Sequence, residues 1–117
     1  MNELNALELK LLDGLIKKYP KLKFHLDFLK VSERKITGVG LYVNFEYVNP
    51  KIDFEDINVL FSNEENIEIQ KLKHGIGYVI DVTDGKILYI EFITYGENWD
   101  GKFDEYKIIK NSGYSNL

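Results

Sequence analysis

The chain has 117 residues, of which 44% are hydrophobic, 14% aromatic and 29% charged, the balance of one soluble globular domain over 1–117 with no room for a second. The absence of cysteine excludes disulfides, thiolate metal sites and cysteine nucleophiles, and fits a reducing compartment. The net charge of -4 is uneven: residues 1 to 35 carry eight Lys/Arg against five Asp/Glu, and residues 36 to 117 carry seven against fourteen.

Between Lys51 and Lys71 stand Asp53, Glu55, Asp56, Glu64, Glu65 and Glu68 with no basic residue among them, a block that repels phosphates. Arg34 is the sole arginine, so forked recognition of phosphate or guanine is poorly supplied. No nucleic acid partner is expected. No apolar run approaches the ~20 residues of a membrane span, and the segment after Met1 is polar, so a cytoplasmic protein without a membrane partner is expected.

Leu4, Leu7, Leu11, Leu12, Leu15, Ile16 and Tyr19 recur at helical spacing, with Glu8, Lys10, Asp13, Lys17 and Lys18 mostly elsewhere on the wheel, which predicts a helix over about 3–19. Asn2 can cap it, lysines occupy its last turn, and Pro20 ends it or opens the next element. "KLKFHLDFLK", residues 21 to 30, alternates like a strand but lacks β-branched residues, so a short helix is expected, with His25 at the surface or boundary.

From Val31 the texture is that of strands. "KVSERKI" leads through "TGVG" into "GLYVNFEYV", where Val39, Leu41, Val43, Phe45 and Tyr47 share one face and Gly40, Tyr42, Asn44 and Glu46 the other. Asn49-Pro50 breaks the sheet, and "INVLF" and "NIEIQKL" flank a polar turn at residues 62 to 66. Asp84-Gly85 supplies a two-residue type I′ turn. A regular ladder from that turn pairs Thr83 with Lys86, Val82 with Ile87, Ile80 with Tyr89, Tyr78 with Glu91 and Ile76 with Ile93, and sets His74 opposite Tyr95. On the other face Gly77 meets Phe92, a ring able to cover it. Residues 103 to 110 fit either a helix or an edge strand, and "NSGYSNL" reads as a frayed tail.

That register gathers His74, Tyr78, Glu91 and Tyr95 on one face at the open end of the hairpin, with Glu97 and Trp99 just beyond in "YGENWDG". Tyr and Trp beside carboxylates suit recognition of an oppositely charged protein. A His74–Glu91 acid–base pair is the enzymatic alternative. No nucleophile elbow, phosphate-cradling glycine loop or zinc spacing accompanies it, so no metal and no cofactor are expected. A homodimer that buries the patch or a sheet edge is the third reading.

At "TGVGLYVNF" and "HGIGYVIDVTDGKILYIEFITYGENW" the chain resembles small bacterial proteins with a TGVGF, then HGAGFVLFV…DG…TYGE-x-WP pattern, over roughly residues 20 to 100. Asp100 stands where that pattern has proline, and residues 92 to 94 are more apolar. The resemblance implies a fold and no catalytic residue. In size, charge and style the chain is also similar to immunity proteins that neutralise toxins of neighbouring cells. The expectation is an α+β protein: one or two N-terminal helices (about 3–30) packed on a twisted, mainly antiparallel sheet of five or six strands (about 31–110). Its function is expected to be capture of a basic protein partner, such as a toxin, through Tyr78, Glu91, Tyr95, Glu97, Trp99 and His74.

Overall fold

The computed structural model describes residues 3–103 and 105–110; Asn2 and the 111–117 stretch lie outside them. Helix α1 spans Ala6–Lys18 and begins at Asn5, three residues after the cap expected at Asn2. The reason is a capping box. The Asn5 side chain accepts from the Glu8 N–H at 2.8 Å, and the Glu8 carboxylate accepts from the Asn5 N–H at 2.8 Å. Leu7, Leu11, Leu12 and Leu15 form the buried stripe as their spacing requires. Residues Pro20–Asp27 then form a 3-10 helix, so the short helix expected there is present in tighter form.

Seven strands follow, one or two more than expected: β1 (Leu29–Ile36), β2 (Gly40–Tyr47), β3 (Val59–Phe61), β4 (Glu65–Ile69), β5 (Ile76–Thr83), β6 (Lys86–Thr94) and β7 (Tyr106–Lys110). Their pairings are antiparallel, in the order β1-β2-β6-β5-β4-β7, with β3 on β5 beside β4. The architecture is α+β. The ambiguity over residues 103 to 110 resolves as an edge strand, with Ile108 opposite Ile67. The β5–β6 hairpin is central, as two largely apolar strands demand.

One sheet face and the helices share a single apolar cluster, in which Leu11, Leu12 and Leu15 meet Val43, Ile67, Ile80, Ile87, Ile90 and Phe92. The alternate residues form the opposite face, which no helix among the described residues covers. Val39 lies outside β2 and is exposed, while Leu41, Val43 and Phe45 are buried and Tyr47 partly so. His25, expected near the surface, is instead 4% exposed, held between the 3-10 helix and β2.

Glu8 also departs from expectation. Expected on the wet side of the helix, it is 2% exposed, because Arg34 on β1 reaches it with Nε at 2.9 Å from Oε2 and Nη2 at 2.7 Å from Oε1. The hydrogen bond to Glu8 raises the Arg34 guanidinium above its ordinary pKa, outweighing the opposing effect of burial. Such a forked pair fixes α1 on the sheet, since a buried carboxylate without its cation is costly. Arg34→Met is therefore expected to destabilise the fold by about 2 kcal/mol, discounted for Arg34's partial exposure, and more than Glu8→Gln with Arg34 kept. Urea midpoints of the two variants check the order.

Candidate functional site

The Asp84-Gly85 turn has positive φ at both residues, 50° and 76°, and pairs Thr83 with Lys86 and Val82 with Ile87 as expected. The register then shifts: Asp81 pairs with Tyr89, Ile80 with Ile90, Val79 with Glu91, Tyr78 with Phe92, Gly77 with Ile93 and Ile76 with Thr94. Leu88 is the extra residue of a β-bulge, and past it every side chain of β6 changes face. Ile87, Ile90, Phe92 and Thr94 thereby all point into the core, and Tyr89, Glu91 and Ile93 point out.

The correction divides the expected patch. Tyr78 is 3% exposed; its hydroxyl donates to Glu65 Oε1 at 2.9 Å and accepts from the Asn63 N–H at 3.3 Å, which stitches the β3–β4 crossing to β5. Burial, with the Glu65 carboxylate second, holds this phenol far above its ordinary pKa. Trp99 is 6% exposed, its indole N–H donating to the Lys102 carbonyl at 3.2 Å and its ring edge-on to Phe103, which in turn meets Phe92. Both residues are core.

Glu97 is a latch rather than a free carboxylate. Its two oxygens accept the N–H groups of Lys73 at 2.9 Å and His74 at 3.0 Å, and these bonds pull its pKa below the ordinary carboxylate value. Lys71 pairs with Asp100 at 3.2 Å across the same gap. The Thr94 hydroxyl lies 2.7 Å from the carbonyls of both Val39 and Glu97, and the Trp99 N–H donates to Gly38 at 2.8 Å. "YGENWDG" is thus a clasp closing the end of the sheet.

His74 and Glu91 are not brought together. Glu91 lies opposite Val79 within β5, whereas His74 precedes the strand, beyond Gly75 with its φ of 71°. His74 instead borders an open cleft of about 430 Å³ with Asn66, Glu68, Lys73, Glu105 and Lys107. Among the described residues no group of three or more His, Asp or Glu is placed to hold a metal ion, and no helix is long and apolar enough to cross a membrane.

Two expected residues do share the uncovered face. Glu91 lies in a row with Lys35 and Tyr42 on one side and Val79 on the other; Asn44, Tyr89, Asp81 and Leu60 form the next. The Tyr42 and Tyr89 rings stack edge-to-face at 5.4 Å. Glu91 beside the Tyr42 hydroxyl raises its pKa, through a hydrogen bond first and charge second, while burial and then Asp81 raise that of Tyr89. Ile93 and Tyr95 extend the surface, 41% and 55% exposed, with the Tyr95 hydroxyl resting over Gly77 where a Cβ would collide with it. Tyr95, and not Phe92, therefore covers that glycine.

Tyr42, Tyr89 and Asp81 are the members that the regular ladder missed. The alternation of β2 already put Tyr42 on the polar face; Tyr89 was hidden because an unbroken ladder directs it inward. Two phenols held protonated beside two carboxylates make hydrogen bonds and present aromatic area. No family model, no curated protein and no solved structure matches the chain.

The clasp sets a pH dependence. Because the folded pKa of Glu97 is lowered, its stabilising contribution is complete above the unfolded value near 4.5 and is lost as pH falls through the folded value. The urea midpoint of the parent is expected to exceed that of Glu97→Gln at neutral pH, the gap closing below pH ~4.5. Trp99→Ala is expected to cost about 3–5 kcal/mol by emptying a core position, seen as a large drop in the same midpoint.

Proposed function

We propose that the chain is a non-catalytic binding protein of the immunity type, acting in the cytoplasm, that captures a basic protein such as a toxin on the uncovered face of its sheet. The observation that carries this reading is the stacked Tyr42–Tyr89 pair flanked by Glu91 and Asp81 on adjoining strands. Rigid strands hold these side chains in place before binding, so little conformational freedom is lost on association. The rings supply desolvated contact area, and the carboxylates steer and orient a cationic partner.

Charge complementarity selects the partner. Glu33, Asp81 and Glu91 belong to this face with Lys35 as its one unpaired cation among the residues named, while Glu46 and Lys30 pair with each other at 2.9 Å. A toxin whose basic residues ordinarily meet phosphates would find carboxylates at those positions. Of the residues first singled out, Glu91 and Tyr95 belong to the proposed contact, whereas Tyr78, Glu97 and Trp99 support it from behind or from the end of the sheet.

The test is calorimetric titration with the product of the open reading frame that neighbours this chain's own. Tyr89→Ala and Glu91→Lys are each expected to weaken binding by roughly 30-fold or more while leaving thermal unfolding near that of the parent. The association rate of the parent should fall as salt is raised. Undiminished binding by both variants would remove the face from the proposal. A concentration-dependent doubling of mass that Glu91→Lys abolishes would assign the face to self-association instead.

A further inference from the structure

His25 is buried at 4% exposure, yet one of its ring nitrogens has no hydrogen-bond partner among the described residues. Nδ1 lies 2.8 Å from the Tyr47 hydroxyl, and that oxygen also accepts the Ile87 N–H at 2.9 Å. Burial pushes Tyr47 up to about 12, so the hydroxyl keeps its proton at neutral pH. Among the described residues no acceptor other than Nδ1 is within hydrogen-bond reach of that proton; donated there, it leaves the imidazole's own proton on Nε2, and burial lowers the pKa of the ring towards the neutral form.

Tyr47 and Phe54 stand edge-on to the imidazole at 5.6 and 5.5 Å, which fixes its plane. Among the described residues no buried side-chain nitrogen or oxygen lacks a hydrogen-bond partner, so the unbonded Nε2 is not sealed inside. It opens on the cleft that His25 lines, a space of about 180 Å³. Phe24, Ile52 and Ile57 supply apolar walls and Asp53 a carboxylate. Lys21 bridges to Glu55 at 2.9 Å on the same rim.

We propose that this cleft is a binding site for a small neutral ligand made of one aromatic ring bearing a carboxamide. Size sets the ring, since an apolar cavity of about 150 Å³ accommodates benzene. His25 sets the acceptor: the carbonyl takes the Nε2–H, a buried donor that an acceptor-free ligand would leave unmet. Asp53 sets the donor, by receiving the amide N–H, and together with Glu55 it disfavours an anion. Phe24, 65% exposed, is the outer apolar wall that the ring would lie against. The site is independent of the sheet face proposed for protein capture.

The experiment is an NMR titration of the labelled full chain with benzamide at millimolar concentrations, read at the His25 Nε2–H and the Ile52 and Ile57 methyl groups. Saturable shifts at all three positions are expected, with benzoate and toluene roughly tenfold weaker. Phe24→Ala, a change at an exposed side chain, should preserve the spectrum of the fold and weaken benzamide several-fold, and His25→Gln should remove the preference for benzamide over toluene. The proposal is overturned if the folded parent shows no saturable shift, if toluene saturates as well as benzamide, or if Phe24→Ala binds benzamide like the parent.

Discussion

The β-bulge at Leu88 is the constraint on which the rest of the molecule depends. The Asp84-Gly85 turn fixes the first two pairs of the hairpin, and an unbroken ladder from there would send Tyr89, Glu91 and Ile93 inward. Ile90 and Phe92 would then face water, at about 1.5–3 kcal/mol each, and Glu91 would be buried with no partner, at several kcal/mol more. A bulge forfeits one regular pairing, worth about 1 kcal/mol, and leaves Leu88 38% exposed. The comparison is one-sided. The extra residue returns Ile90 and Phe92 to the inner row with Ile87, with Thr94 at its end and Ile93 turned outward, and by the same step delivers Tyr89 and Glu91 to the outer face beside Tyr42.

The bulge also reaches beyond the sheet. The β2–β6 pairing extends only as far as Asn44 with Tyr89, and past it the Ile87 N–H finds the Tyr47 hydroxyl in place of a ladder carbonyl. That hydroxyl also lies 2.8 Å from His25 Nδ1, so one side chain links the central hairpin to the 3-10 helix. Backbone satisfaction and side-chain protonation are here one network, with Tyr47 as the joint.

Local signals were the legible ones. The leucine stripe of α1, the alternation of β2, the Asp-Gly turn and the central place of the hairpin all followed from patterns within a dozen residues. What stayed hidden was non-local. Glu8 looks like a solvent residue until Arg34 arrives from β1, and the polar cap at Asn5 depends on the same carboxylate. His25 has no apparent partner in its own segment because its partner is twenty-two residues away. The bulge is invisible to a ladder drawn by counting, although one clue was present: counting set Glu91 against Tyr78 and Ile93 against Ile76, polar and apolar in alternation along a strand whose inner row should be uniformly apolar.

The aromatic ending of the hairpin shows how chemistry-bearing residues serve stability. Trp99, Glu97 and Asp100 read as a recognition loop because tryptophan and carboxylates are what interfaces use, yet here each is spent on closing the sheet end: the indole fills the core and the carboxylates tie residues 71 to 74. The uncovered face has the opposite logic. Glu91 and Asp81 do not cap backbone N–H groups as Glu97 does, and Ile93, Tyr95 and Leu60 stand in solvent, 41%, 55% and 64% exposed, where the core gains nothing from them. Single exposed apolar residues are ordinary, but here they share one sheet face with the Tyr42–Tyr89 pair. Residues that the fold does not need, held rigid by strands that it does need, are where a binding surface can be carried at little cost to stability.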